Sequence, residues 1–371
     1  MKGPIRVLHV FASMNRGGAE TMLMNIYREI DRNKLQFDFM VHTDLKCAYD
    51  DEISALGGRI FRVPRFTGEN YFEYKKAWTR FFDQHSKEYI VIHGHNRSIA
   101  NIYLKIAKRY GLTTIVHSHS TSSGGGLQAV IKFCMQYRLR YQTDYLFACS
   151  KKAGEWLYGK KALSGDRFYI IKNAINTEDY FYNSAIRDKV RTEFAIENKF
   201  VVGHVGRFHE SKNHSFLLLA FQEICKQKSN AVLMLVGDGP LRGQIEAHIQ
   251  NLHLTDKVIL TGVREDVPDL LQAMDCFVFP SLYEGLGIVA IEAQAAGLPC
   301  ILSDAVPQEA HVTDLTKVLS LTESPKIWAA EICSVTLPKD RGIYSDIVRD
   351  AGYDVSQTSK WLVDFYIERG R

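Results

Sequence analysis

Short apolar runs alternate with amphipathic helical patterns along nearly the whole chain, and this alternation limits the possible folds more than any other feature. Apolar runs typical of buried strands span residues 5–12, 37–42, 59–63, 89–93, 113–117, 145–149 and 168–171. A second series spans residues 200–205, 231–236, 257–260, 276–279, 300–302 and 318–321. Strands separated by helices are typical of parallel sheets, so the sequence predicts an α/β fold.

The length of the chain, 371 residues, and a break near residue 173 predict two domains. Each strand series would form a Rossmann-like domain, the first over residues 1–173 and the second over residues 174–340. Ligands of open α/β sheets bind at the carboxyl ends of the strands, so we expect the two domains to face each other across a cleft. Residues 341–371 are expected to be helical, and packing back on the first domain is one arrangement open to them.

The overall charge of +4 combines a basic first half with an acidic second half. Residues 1–170 carry 26 Lys and Arg against 15 Asp and Glu, a net charge of +11, and residues 171–371 carry a net charge of −7. A basic half suits contact with a polyanion or an anionic membrane surface. An ordinary solvated surface fits this charge equally well.

The seven cysteines are scattered and form no CxxC or Cys/His cluster, which disfavours a disulfide framework and a structural zinc site. The first residues resemble a strand rather than a signal peptide, and no apolar run has the length that a bilayer requires. We therefore expect a cytoplasmic protein whose only membrane contact would be peripheral, at the inner face of the plasma membrane.

Two glutamates, Glu284 and Glu292, lie in a segment that reads as strand, glycine loop and helix start. The loop and helix start offer backbone N–H groups and a positive dipole end to an anion. Carboxylates accept hydrogen bonds from hydroxyls such as those of ribose and sugars. Two solvated helix charges are the simpler alternative, but Glu292 lies among apolar residues and needs a partner there.

Two cations follow the first strand of the second series. Arg207 comes directly after the strand and Lys212 lies in the next loop, where both could hold a diphosphate, one as a fork and one as a point charge. The backbone around Val263, after a third strand, could face a nucleobase. No Asp-x-Asp sequence is present to hold a divalent ion on a diphosphate.

The first series offers glycines and histidines at its strand ends. Gly17 and Gly18 allow close approach of a ligand at a helix start, although the segment is not GxGxxG, which disfavours a nicotinamide or flavin dinucleotide. Strand alternation puts His93 with His95 and His117 with His119 on one sheet face each. His119 is the first candidate for substrate contact and His117 the second, while a metal site built from the four is less favoured.

Together these motifs resemble glycosyltransferase family 4, whose members are retaining, metal-independent enzymes of the GT-B fold. The resemblance rests on Gly17-Gly18-Ala19-Glu20, His119, residues 173–176, Gly206-Arg207, Lys212-Asn213, Gly237-Asp238-Gly239-Pro240, and Glu284 with Glu292. Bacterial exopolysaccharide and capsule glycosyltransferases look most similar, partly through His117-Ser118-His119. One departure is Ala174, where the family commonly has glycine, so we assign residues 173–176 no ligand role.

The resemblance implies a nucleotide-sugar donor, with a UDP-sugar expected, held mainly by the second domain. It implies that Glu292 binds ribose, that Arg207 and Lys212 bind the diphosphate, and that Glu284 grips the donor sugar. The backbone amides of Leu286, Gly287 and Ile288 would share that grip on the sugar. From the first domain, Gly17 and Gly18 would contact the donor, Gly18 at its diphosphate, and His119 would contact the transferred sugar near its anomeric carbon. The implied catalytic residues are His119, Glu284, Arg207 and Lys212. The first domain would hold the acceptor, and no metal or other cofactor is implied.

The acceptor is expected to be lipid-linked or a saccharide, and nucleic acid is not an expected partner. Lys132, Arg138 and Arg140, interleaved with aromatic residues, could dock on anionic lipid, although a basic solvent face explains them equally well. Two alternatives stay open at this point. One is a sugar-nucleotide 2-epimerase of the same fold, and the other is a non-catalytic nucleotide-sugar-binding protein.

Overall fold

A computed structural model describes residues 3–119 and 135–370 of the chain. The chain divides into two compact units, and each is described by itself. Unit 1 comprises Met1–Ile175 together with Val355–Arg371, and unit 2 comprises Asn176–Asp354. None of the helices in these described ranges combines the length and the apolar character needed to cross a bilayer.

The described part of unit 1 is built on one parallel sheet with the strand order β3-β2-β1-β4-β5-β6-β7. Its strands are β1 (Ile5–Phe11), β2 (Leu35–Val41), β3 (Ile60–Arg62), β4 (Tyr89–Gly94), β5 (Thr113–Ser118), β6 (Tyr145–Ala148) and β7 (Phe168–Ile170). Its helices are α1 (Gly18–Glu29), α2 (Asp50–Ala55), α3 (Tyr71–His85), α4 (Ala100–Arg109), α5 (Leu139–Gln142) and α6 (Lys151–Tyr158). Apolar side chains project from both faces of the strands, and helices therefore cover the sheet on both sides.

Unit 2 repeats this architecture with the strand order β10-β9-β8-β11-β12-β13. Its strands are β8 (Phe200–Val205), β9 (Ala231–Val236), β10 (Val258–Gly262), β11 (Cys276–Phe279), β12 (Cys300–Ser303) and β13 (Thr316–Leu319). Its helices are α7 (Ser184–Glu193), α8 (His214–Gln227), α9 (Arg242–Asn251), α10 (Val267–Ala273), α11 (Ile288–Ala295), α12 (Pro325–Ser334) and α13 (Ile343–Val348). The core is formed mainly by Leu, Ile, Val and Phe side chains from these elements.

The last helix, α14 (Val355–Arg369), belongs to unit 1, whereas α13 belongs to unit 2. Its side chains Leu362, Phe365 and Tyr366 are buried in the same core as strands β1 and β2. The Phe365 ring meets the Phe147 ring edge-on at a centroid distance of 5.2 Å. The end of the chain therefore completes one face of the first sheet.

The expected α/β architecture is confirmed in both series, and most predicted strands match within one or two residues. The last strand starts at Thr316 rather than at residue 318, because its exposed side chains give it a weak apolar signal. The strand order changes direction between β1 and β4 and between β8 and β11. Such points, at the carboxyl ends of the strands, are where open α/β sheets bind their ligands.

A close backbone approach joins the turns after β8 and β9 in unit 2. Gly237 has a φ of +135°, and a Cβ atom on it would lie 2.2 Å from the carbonyl oxygen of Gly206. Only glycine fits that position. The turn that carries Arg207 is therefore held against the turn that follows β9.

Candidate functional site

Lys212 and Glu284 form an ion pair at the carboxyl edge of the unit 2 sheet. Lys212 lies in the loop after β8 and Glu284 in the loop after β11, and these two strands are neighbours. Lysine Nζ lies 2.5 Å from glutamate Oε1, with 18% and 10% of the two side chains exposed. The Nζ atom also lies 4.6 Å from the centroid of the Phe279 ring. Since little water reaches this pair, its charges act on a neighbouring ligand with little screening.

The loop that carries Glu284 leads into the N-terminus of α11. Gly287 is the N-cap residue, with φ +83° and ψ +50°, a left-handed conformation that favours glycine. Leu286 is buried before it, and Ile288 begins the helix. A hydrogen bond of 2.8 Å from the Leu282 N–H to the Ser211 carbonyl ties this loop to the loop of Lys212. A Cβ atom on Gly287 would lie 3.8 Å from Cγ of Glu284, so the N-terminus of α11, whose first N–H groups have no partner within the helix, begins next to the ion pair.

Arg207 and Val263 lie at the same edge but remain exposed. Arg207 follows Gly206 directly, and among the described residues its guanidinium has no hydrogen-bond or ion-pair partner. Val263 follows β10, and 65% of its surface is exposed. Both side chains are open to solvent, so they are free to meet a ligand.

Glu292 lies on α11 and is partly buried against Tyr180. Burial raises the pKa of the Glu292 carboxyl to about 7, and a hydrogen bond with Tyr180 opposes that shift. The sequence predicted that this carboxylate needs a partner but not that Tyr180 supplies it. Tyr180 lies more than a hundred residues earlier, in a segment with no periodic pattern.

In unit 1, Gly17 and Gly18 lie at the start of α1, as the sequence predicted. Gly17 is its N-cap residue, and a Cβ atom there would lie 2.4 Å from Oε2 of Glu20. A Cβ atom on Gly18 would meet nothing within 4 Å. A side chain at Gly17 would only displace the flexible end of Glu20, and Gly18 borders open space, so local packing requires glycine at neither position.

Five histidines gather at the carboxyl ends of β1, β4 and β5. The predicted pairs are confirmed: the rings of His93 and His95 stack at 4.2 Å, and those of His117 and His119 at 3.9 Å. His95 also bonds at both nitrogens, to His119 Nε2 at 2.8 Å and to His9 Nδ1 at 3.2 Å. His9, which the sequence analysis did not single out, therefore completes a chain of hydrogen bonds.

Tyr366 of α14 makes a hydrogen bond with the cluster, since its hydroxyl lies 2.6 Å from His93 Nδ1. Burial lowers the pKa of all five imidazoles, to about 3 for His9 and His119. Both ring nitrogens of His117 are buried without a partner among the described residues. Neutral imidazoles are metal ligands, and two sets have the reach for an ion: His9 with His93 and His95, and His95 with His117 and His119.

Comparison with known proteins identifies the class to which this fold belongs. The crystal structure of Anabaena HepE in complex with UDP superimposes with a TM-score of 0.79 over 98% of this chain and 100% of that one, at 18% identity. That likeness shows a GT-B fold. The model of Glycosyltransferase Family 4 matches residues 16–179, and that of Glycosyl transferases group 1 matches residues 186–335.

Sequence relatives define the family more narrowly. The Bacillus subtilis (strain 168) protein EpsF, a glycosyltransferase by name, is 36% identical over 97% of this chain and 96% of its own length. An Escherichia coli enzyme, UDP-Gal:alpha-D-GlcNAc-diphosphoundecaprenol alpha-1,3-galactosyltransferase, is 25% identical over 59% of this chain and 58% of its own length. The chain belongs to glycosyltransferase family 4 and is a glycosyltransferase. The epimerase alternative finds no support in these comparisons.

Proposed function

We propose that this enzyme transfers a sugar from a UDP-sugar to a lipid-linked or saccharide acceptor in the synthesis of exopolysaccharide or another cell-surface glycan. The observation that carries the proposal is the Lys212–Glu284 pair, which lies beside the N-terminus of α11 at the carboxyl edge of the unit 2 sheet, where open α/β sheets bind their ligands. The UDP bound in HepE and the name of the Escherichia coli relative support a UDP-sugar as the donor.

Each donor group has a proposed partner in unit 2. Lys212 and the exposed Arg207 bind the diphosphate, because both are cations at the carboxyl edge of the sheet near the N-terminus of α11. Glu292 accepts hydrogen bonds from the ribose hydroxyls, and Val263 borders the base. Glu284, together with the backbone amides of Leu286, Gly287 and Ile288, holds the hydroxyls of the transferred sugar. Gly17, Gly18 and His119 of unit 1 remain predicted donor contacts.

The proposed chemistry is retaining and needs no metal ion. The bond between the anomeric carbon and the diphosphate oxygen breaks, and the acceptor oxygen bonds to the same carbon from the same face. The acceptor proton passes to the departing diphosphate oxygen, which balances the step. Negative charge that develops on the diphosphate is stabilised by Arg207, Lys212 and the start of α11. These groups take the place of a metal ion.

The acceptor is proposed to be lipid-linked, as the name of the Escherichia coli relative states for that enzyme. Contact with an anionic membrane would then be peripheral and made by the basic unit 1. Of the three cations predicted for docking, Lys132 lies outside the described residues and Arg138 is exposed. Arg140 is half-buried and stacks on Tyr137 at 4.6 Å, so its charge is less available than that of Arg138.

A panel of nucleotide sugars tests the proposed reaction. The protein is incubated with each donor and with a membrane extract that holds lipid-linked saccharides, and both nucleotide release and product linkage are followed. We expect UDP release from one UDP-sugar and a product with the anomeric configuration of the donor, seen by NMR. Inversion of that configuration, or an epimerised donor without transfer, would refute the proposal. The control is heat-inactivated protein with the same extract.

A further inference from the structure

We propose that a basic pocket on unit 1 binds the diphosphate of a lipid-linked acceptor. The pocket lies between α3, α4 and the segment around α5, and its volume is about 310 Å³. That volume is at the lower end of the range typical of small-ligand sites, roughly 300–1,000 Å³. The proposal rests on the proposed function for the choice of a diphosphate-bearing lipid, but the pocket itself is a feature of the structure.

Cations dominate the charged lining of this pocket. Four of its residues carry positive charge: Lys75, Lys105, Arg109 and Arg138. Within residues 3–119 and 135–370 no carboxylate lines it, and none of the four cations has an ion-pair or side-chain hydrogen-bond partner. Elsewhere in the unit, neighbouring cations such as Lys108 are paired with acidic groups. Four unpaired cations around one cavity favour an anion with several oxygens.

Two amide side chains in the lining have unused hydrogen-bonding capacity. Oδ1 of Asn101 and Oε1 of Gln142 are buried and have no hydrogen-bond partner among the described residues. A buried polar atom without a partner costs free energy, so such atoms usually meet a ligand or water. An amide group can turn to present its NH₂ to a phosphate oxygen. With their amide groups turned in this way, Asn101 and Gln142 would donate hydrogen bonds to the anion that the four cations attract.

A second pocket extends the site toward the carboxyl edge of the sheet. It has a volume of about 380 Å³ and shares Phe66 with the basic pocket. Polar groups of Thr43, Asn96 and Ser98 line it, together with His42 and Arg65. Hydroxyl and amide groups next to an aromatic ring suit a sugar. A saccharide next to the sheet edge would thus place its attached diphosphate in the basic pocket.

The apolar part of the lining accounts for the lipid. Ile102, Ile106, Met135 and Tyr71 share the basic pocket with the cations. Phe72, the neighbour of Tyr71 at the start of α3, is 82% exposed. An apolar chain attached to the diphosphate would bury apolar surface against these residues. Inorganic phosphate has no apolar surface and gains nothing from them. We therefore infer a diphosphate-linked lipid rather than a free phosphate as the natural ligand.

Calorimetry with inorganic pyrophosphate and with farnesyl diphosphate tests the pocket, in saturating UDP so that a nucleotide site does not contribute. The test variant is Lys105→Glu/Arg109→Glu. The matched control is Lys76→Glu/Arg80→Glu, which makes the same charge change on α3, where both residues line a different groove. We expect the test variant to weaken both ligands by about tenfold or more and the control by less than about twofold. Tighter binding of farnesyl diphosphate than of pyrophosphate would support the lipid.

Vesicles of phosphatidylglycerol form the other arm. Vesicle binding without pyrophosphate binding, or an equal loss in both charge-reversal variants, would overturn the pocket in favour of a diffuse basic surface. If the Glu variant does not fold, Lys75→Gln/Lys105→Gln removes charge more gently and carries the same expectation. Pyrophosphate binding requires no sugar transfer, so this experiment can succeed where the donor panel fails. Failure of the pocket proposal is therefore distinguishable from failure of the proposed function.

Discussion

The Nζ atom of Lys212 lies 2.5 Å from Oε1 of Glu284, although the two residues are 72 positions apart in the chain. The contact forms because β8 and β11 are neighbours in the sheet, so the loops that follow them meet. A ligand that enters this edge meets a cation and a carboxylate in fixed relation. The pair thus couples the proposed grip on the diphosphate to the proposed grip on the sugar.

Replacing Lys212 by Ala is expected to lower kcat/KM for sugar transfer by roughly 10²–10³-fold, because a cation that stabilises the departing diphosphate is lost. It also leaves the largely buried Glu284 without its partner, at a cost of about 1–3 kcal/mol in the free energy of unfolding. Steady-state kinetics and urea unfolding measure the two effects.

Lys226→Ala is the matched control for that substitution. Lys226 pairs with Glu223 at the same 2.5 Å on α8, but 63% of its side chain is exposed. An exposed pair contributes about 0–1 kcal/mol, and we assign it no role in transfer. Near wild-type rates in Lys212→Ala, or equal losses in both variants, would remove Lys212 from the proposed site.

The parts of this site that follow from local pattern were predictable, and the contacts between distant segments were not. The strand, the glycine loop and the helix start are each specified by consecutive residues. The sequence therefore predicted that Glu284 lies at the end of a strand. The partnership of Glu292 with Tyr180 depends on how separate elements pack, which no period in the sequence records. The same holds for His93 and Tyr366, which are 273 positions apart.

Glu292→Gln is expected to stabilise the protein above pH 7 and to have little effect near pH 5. Burial raises the pKa of the Glu292 carboxyl from 4.5 to about 7, so between these values the folded state holds a proton that the unfolded chain has lost. This group therefore reduces stability as the pH rises through that window. Thermal unfolding from pH 5 to 8.5 measures the difference in stability between the Gln variant and the wild type. We expect the advantage of the Gln variant to grow as the pH rises.

Tyr180→Phe gives the complementary test. The hydrogen bond from Tyr180 opposes the rise in the Glu292 pKa, so its removal should shift the pH dependence of unfolding to higher pH. Parallel unfolding profiles for the wild type and Glu292→Gln would show that the carboxyl does not titrate in this range.

The histidine cluster should make the protein sensitive to acid. Its five imidazoles have pKa values lowered by burial from 6.5, to about 3 for His9 and His119. The unfolded chain binds protons at pH 6.5 whereas the folded state does not, so stability is lost as the pH falls from 6.5 toward 3. Each such group costs about 1.4 kcal/mol per pH unit within its window. Urea unfolding at pH 7, 6 and 5 measures the loss.

His117→Gln should flatten that pH dependence, because His117 titrates in the unfolded chain and has no hydrogen bond to lose among the described residues. His253→Gln is the control, since His253 is exposed in unit 2. If both variants keep the wild-type slope, the cluster does not control acid unfolding.

Dialysis against EDTA is expected to leave sugar transfer unchanged. The proposed charge stabilisation comes from Arg207, Lys212 and the start of α11, so no divalent ion is needed on the diphosphate. The histidine cluster makes the experiment decisive, because His9, His93 and His95 have the reach to hold an ion. Metal-depleted protein is assayed with and without added Mg²⁺ and Zn²⁺, and its metal content is measured by mass spectrometry. Activity lost on dialysis and restored by Zn²⁺, but not in His93→Ala, would assign a required ion to the histidines and refute a metal-independent reaction.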